Sequence, residues 1–254
     1  FNPCGDWREL NVAQAIKLIL HLPPTIEGLT IEKAPFGIEF MKILIQQIKT
    51  FTNLKSLRIS HTLVGGMNEG RDSGLHLAEA IASNTKIEKL NLYKTDLIGV
   101  RNVALWADVV AKNKALKSLK CSGMDEELKK IHSTAWTAYE HSTHNSSNYN
   151  GQIVYCACGI FPDAMLTDEG YKVLAKGIAL NKSLETINLT DHGASNRVIV
   201  EVLGKALQEN KTITKVNISE ESDKEGVEHA VQELRGIIKV RLPKIQITNI
   251  TYEP

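Results

Sequence analysis

Leu77-Ala78-Glu79-Ala80-Ile81-Ala82-Ser83-Asn84-Thr85-Lys86-Ile87-Glu88-Lys89-Leu90-Asn91-Leu92 holds two periodicities side by side. In its first half the apolar residues fall three and four apart, the spacing of one sticky helix face. In its last half Ile87, Leu90 and Leu92 follow the order apolar, two variable, apolar, one variable, apolar. Its final residues alternate as a strand with one buried face does. Asn84 stands between the halves, three residues before the strand's first apolar position. Asn tolerates the left-handed conformation that often ends a helix, so it reads as a C-terminal cap.

The six-residue strand pattern recurs along the chain. Copies begin at Ile26, Leu54, Ile87, Leu116, Ile153, Leu184, Ile213 and Leu242, separated by 28, 33, 29, 37, 31, 29 and 29 residues. Asn recurs at the same offset at Asn113, Asn150, Asn181 and Asn210. Helix starts are marked at Thr167-Asp168-Glu169 and Ser222-Asp223-Lys224-Glu225, where small polar and acidic residues suit a first turn. The unit is therefore strand, loop, helix, loop. One unit alone cannot bury both its strand and its helix face, whereas stacked units bury each other. The expected fold is α/β: a single solenoid over residues 1–254 with about eight strand–loop–helix repeats. A curved parallel sheet would line its concave face and helices its convex face. Residues 1–25 would supply a capping helix, 125–152 an enlarged helix and loop, and 242–254 a closing strand.

This repeat resembles the ribonuclease-inhibitor type of leucine-rich repeat over roughly Val12 to Thr248. One departure is visible. The family places Asn or Cys eight positions after the first apolar residue; here those positions hold Ala34, Thr62, Thr95, Met124, Phe161, His192, Glu221 and Ile250. The diverged, Lys- and Asn-rich repeats also look similar to leucine-rich-repeat effectors of intracellular bacterial pathogens of the Legionella type. The resemblance implies a non-catalytic interaction protein that clamps or inhibits a partner, in some cases another effector. It leaves open a solenoid of the GTPase-activating type and a ligand-sensing piece of a larger receptor. The chain starts at Phe1, which fits a fragment.

Composition excludes several classes. The 254 residues are 43% hydrophobic and 23% charged, an ordinary globular balance. No apolar run reaches the roughly 18 residues of a membrane span. A formal net charge of +1 gives no global field toward nucleic acid or an anionic membrane. His141, His144, Cys156 and Cys158 could suggest zinc. However, Cys156 and Cys158 fall on inward strand positions, where they read as small core hydrophobes like Cys121. The glycine-rich run Gly65 to Gly74 lacks the Lys-Ser/Thr ending of a phosphate loop and reads as a connector. No nucleophile motif is present, so neither enzyme activity, cofactor nor metal is expected. Glycosylation triplets at Asn181, Asn188, Asn210 and Asn217 fall where a glycan would meet the solenoid's own packing or its partner. A cytoplasmic location follows as the expectation, the host cytosol for a secreted effector.

On each strand the residues flanking the inward pair point out of the sheet. The outward columns contain five basic residues, Arg58, Lys89, Lys120, Lys215 and Lys244, against the single acid Glu32. Tyr93 and Tyr155 supply aromatic anchors of the kind that carry binding energy. The expected contact surface is Arg58, Lys89, Asn91, Tyr93, Lys120, Tyr155, Asn188, Lys215 and Asn217, with Arg58, Tyr93, Lys120 and Tyr155 at its centre. Its expected partner is another protein with an acidic surface, bound by a chain that is monomeric when free.

Overall fold

A computed structural model describes residues 10–32, 37–60, 67–93, 95, 97, 102–121, 168–190, 195–219, 224–239 and 245–249. In chain order these form α1 (Val12–Leu20), β1 (Gly28–Glu32), α2 (Gly37–Thr50), β2 (Ser56–Ser60), α3 (Met67–Ser83), β3 (Lys89–Leu92), α4 (Val103–Lys112) and β4 (Ser118–Cys121). They continue as α5 (Asp168–Leu180), β5 (Thr186–Thr190), α6, β6 (Lys215–Ser219), α7 (Lys224–Lys239) and β7 (Gln246–Asn249). Helix α6 has three parts: Asn196–Val198, a π-helical turn at Ile199–Leu203, and Gly204–Glu209.

All seven strands join one parallel sheet in sequential order β1 to β7. Each helix packs on the helices before and after it. The strands alternate as the sequence demands: Leu29 and Ile31 of β1 are buried while Gly28, Thr30 and Glu32 are half-exposed. One apolar core runs from Ala15 to Ile247, fed by the inward strand residues and by helix stripes such as Leu77, Ala78 and Ile81. Helix α1 opens on a capping box, in which Asn11 Oδ1 accepts from Gln14 N and Gln14 Oε1 accepts from Asn11 N.

Two expectations about the sheet are overturned. A strand at Ile153–Cys158 was expected between β4 and β5, yet β4 bonds directly to β5, with Ser118 opposite Thr186 and Lys120 opposite Asn188. No room exists between them. Ile153–Cys158 themselves lie outside the described residues. Residues 122–167, including the expected enlarged helix and loop, lie outside the described residues. The last strand is also displaced. Lys215 faces Gln246 and Asn217 faces Thr248, so Ile247, rather than Ile245, sits opposite Val216. This two-residue slip keeps the same side chains inward. Pro243, which has no N–H to give the ladder, precedes the strand. Arg235 of α7 fixes the slipped edge by donating to the Ile247 carbonyl at 2.7 Å.

The asparagine column has a different role from the expected left-handed cap. Asn113 and Asn210 are extended, with φ of −69° and −72°. Their side chains do the capping instead. Asn181 Oδ1 accepts from the backbone N–H groups of Ser183 and Leu184. Its Nδ2 donates back one repeat, to Val110 O at 2.6 Å and Asn113 O at 2.9 Å. Asn210 repeats this with Thr212 N and Ile213 N in front, and Ile178 O and Asn181 O behind. Asn84 follows the pattern with Lys86 N, and more loosely with Ile48 O and Phe51 O. A buried polar ladder thus satisfies the carbonyls that helix ends leave open. At the eighth position of the unit, Thr95 is the residue within the described set. It is buried and donates to Leu92 O at 3.3 Å.

The glycine-rich run is a helix from Met67 on, correcting its reading as a connector. Gly74 sits where a Cβ would lie 2.3 Å from Leu97 O, so close packing accounts for that glycine.

Candidate protein-binding face

The face of the sheet opposite the core carries the outward columns in register. Thr30, Arg58, Asn91, Lys120, Asn188 and Asn217 lie on consecutive strands as direct neighbours. Beside them run Gly28, Ser56, Lys89, Ser118, Thr186 and Lys215. Six of the nine expected contact residues therefore fall in one patch as Arg58, Asn91, Lys120 and Asn188, with Lys89 and Lys215 along its side. Asn217 is in the column but buried. Tyr155 lies outside the described residues, as does Lys244.

Tyr93 departs from its expected place. Strand β3 ends at Leu92, and Tyr93 enters a turn in which its N–H donates to Asn91 Oδ1 at 3.1 Å. Its side chain is only 6% exposed. Lys120 Nζ lies 3.8 Å from the ring centroid and covers it. The pair forms a cation–π contact, so the lysine roofs the ring on the open side of the sheet. Ser60, in the same column, is buried and accepts from Arg58 Nε at 3.1 Å.

The positive charge of the face is partly neutralised within it. Arg58 reaches Glu32, the single acid of the columns, at 3.3 Å. Lys120 is held over Tyr93. Lys89 and Lys215 remain exposed with no ion-pair partner among the described residues. Asn188 Oδ1 is shielded from solvent and has no hydrogen-bond donor among the described residues. Sequence reasoning found the column but not these cross-strand pairings, which depend on the register.

A second charged row flanks the strand starts. Glu27, Lys55, Glu88, Lys117 and Glu185 alternate in sign on adjacent strands, one residue before each strand or at its edge. Lys55 pairs with Glu27 at 2.9 Å and Lys117 with Glu88 at 3.1 Å. The Glu27 carboxylate raises the Lys55 ammonium above its ordinary value. The backbones beneath are stitched in the same rhythm, each carbonyl accepting two N–H groups from the next unit, as Glu27 O does from Lys55 and Ser56.

Cys121, at the end of β4, is buried, and burial pushes its thiol up to about 12. A thiol so placed is a core hydrophobe at neutral pH. Among the described residues no group of three His, Cys, Asp or Glu side chains could hold a metal. None of the described helices is long and apolar enough to cross a membrane.

No family model matches the chain, and no curated protein sequence matches it. Among solved structures, one titled leiomodin-1 actin-binding site 2 aligns over 88% of this chain and 87% of that one, at 12% identity and a TM-score of 0.39.

Proposed function

We propose that this chain is a non-catalytic protein-binding module whose partner lies along the open face of the sheet. The observation that carries the reading is the register-aligned polar strip from Thr30 to Asn217, laid across six adjacent strands. Seven strands spaced about 4.8 Å apart make a face about 29 Å across. That size suits a standard interface of roughly 800 Å² per partner. A sheet held by paired backbone bonds is preorganised, so binding to it orders little that was loose. Arg58, locked by Glu32 and Ser60, and Lys120, locked over Tyr93, are the fixed points of this surface. The finer reading, an acidic partner surface, is supported by Lys89 and Lys215. Occlusion of an enzyme's active site, as an effector or a regulator of another effector, is the use we favour for such a face.

Affinity capture on the immobilised chain tests this. A protein retained by the wild type should be lost by Arg58→Glu and Lys120→Glu, and kept by Lys176→Glu on the exposed side of α5. Each variant should melt like the wild type. If both face variants still retain everything the wild type retains, the proposed face is wrong.

A further inference from the structure

The near-zero net charge of the chain conceals a segregation that stacking creates. At one edge of the sheet, each helix ends, turns and enters the following strand. These turns lie directly on one another, joined by the asparagine ladder and by the paired carbonyl bonds such as Glu88 O to Lys117 and Ser118. From the last turn of α2 to the first residue of β6, this edge carries ten lysines and three glutamates. The whole chain is only +1, so everything else taken together is acidic. Lys55, Lys117 and Lys112 are engaged by Glu27, Glu88 and Asp108. Lys49, Lys86, Lys89, Lys114, Lys182 and Lys215 are exposed and have no ion-pair partner among the described residues.

A second, independent feature lies on the same edge. Leu180 is 66% exposed and Leu20 is 50% exposed, the two large hydrophobic side chains among the described residues to stand out in this way. Both are the last residues of their helices, α5 and α1. Leu180 directly precedes Asn181 and Lys182, and its turn is bonded to the turn that carries Lys114. Lysines beside a protruding leucine, as Lys182 and Lys114 stand beside Leu180, fit a surface that is anionic outside and apolar beneath. Nucleic acid would gain nothing from leucine, and the edge offers neither arginine forks nor an exposed aromatic ring among its described residues to read or stack bases, Phe51 being buried.

We propose that this edge is a peripheral docking surface for an anionic lipid bilayer, with the lysines on the headgroups and Leu180 in the interface. The solenoid would then stand on its lysine edge, which shares Lys89 and Lys215 with the open sheet face, and leave the column from Arg58 to Asn188 free. Lys114 and Lys182 are not part of that face, so the two readings fail separately.

The test is co-sedimentation of the full chain with vesicles at about 0.1 M salt. Expected is binding to phosphatidylcholine vesicles containing phosphatidylserine and none to phosphatidylcholine alone, with steep loss as salt rises. Each lysine near such a surface is worth about fivefold in partitioning, so the Lys114→Glu/Lys182→Glu double variant should bind at least tenfold more weakly. Leu180→Ala should also weaken binding severalfold. All three positions are exposed, and unchanged melting shows that the fold is retained. Equal binding to neutral and anionic vesicles, or no binding to either, overturns the proposal. So does tighter binding to a DNA duplex or to an acidic polypeptide than to the anionic vesicles, or a Leu180→Ala variant that binds as well as the wild type.

Discussion

Asn181 and Asn188 stand seven positions apart and do opposite things. Asn181 is 1% exposed, takes two backbone N–H groups from its own turn and gives its amide to two carbonyls of the preceding repeat. Asn188 lies in the middle of β5 with a shielded carbonyl that no described donor meets. Removing a partner from buried polar groups costs far more than removing a group that lacked one. Asn181→Val should therefore lower stability by about 3 kcal/mol or more, and Asn188→Val should change it by less than about 1 kcal/mol. Urea unfolding of the two variants measures the contrast, and equal losses would show that the ladder does not act as described. Cys121 offers another test at this scale. Because burial raises its thiol to about 12 from 9.0, the folded protein should resist alkylation at pH 8 at this position and react once unfolded, as peptide mapping would read. A raised acid pKa means that the fold favours the protonated form. Its contribution is whole below pH 9.0 and is lost as pH climbs toward about 12.

Between elements, α4 and α5 approach closely. A Cβ on Gly177 would lie 2.2 Å from Ala107 O, against backbone that cannot swing aside. Gly177→Ala should cost about 1–3 kcal/mol by forcing the helices apart. Gly236, in α7, has nothing within 4 Å of the same added atom, so Gly236→Ala should stabilise by about 0.5–1 kcal/mol through helix propensity. Thermal melts of the pair decide, and a stabilised Gly177→Ala would refute the close packing. The elements were legible in the sequence wherever apolar and polar residues alternate. Leu57-Arg58-Ile59 and Leu90-Asn91-Leu92 could only be half-buried strands. The slip at β7 was hidden because a shift of two leaves the alternation intact. Which strand positions lie opposite the core was readable for the same reason, but not that Ser60, Tyr93 and Asn217 would be buried there. That Arg58 would spend its charge on Glu32, or that Lys120 would roof Tyr93, was not, since both contacts join residues brought together only by the register.

For the whole molecule, order along the sheet is order along the chain. Most strand-to-helix connections take four to ten residues, whereas residues 122–167 stand between β4 and α5. The sheet register and the α4–α5 packing pass directly across this point. Replacing residues 124–165 by a short Gly-Ser linker should thus leave one cooperative unfolding transition. Loop closure over the longer segment costs only a fraction of a kcal/mol, because it grows with the logarithm of length. Loss of cooperative folding in that shortened chain would mean that the long connection contributes to the fold. The charge pattern also belongs to this scale. Sign alternation from Glu27 to Glu185 becomes a ladder, and scattered lysines become an edge, only once the repeats are stacked.

The direct bonding of β4 to β5 also bears on what happens if the backbone is severed between them. The first piece would end on a strand whose free side matches the free side of the strand that begins the second. Two half-chains made separately should therefore recognise each other and assemble without a covalent tether, since the hydrogen bonds from Ser118 to Cys121 across to Thr186 to Leu189 never relied on one.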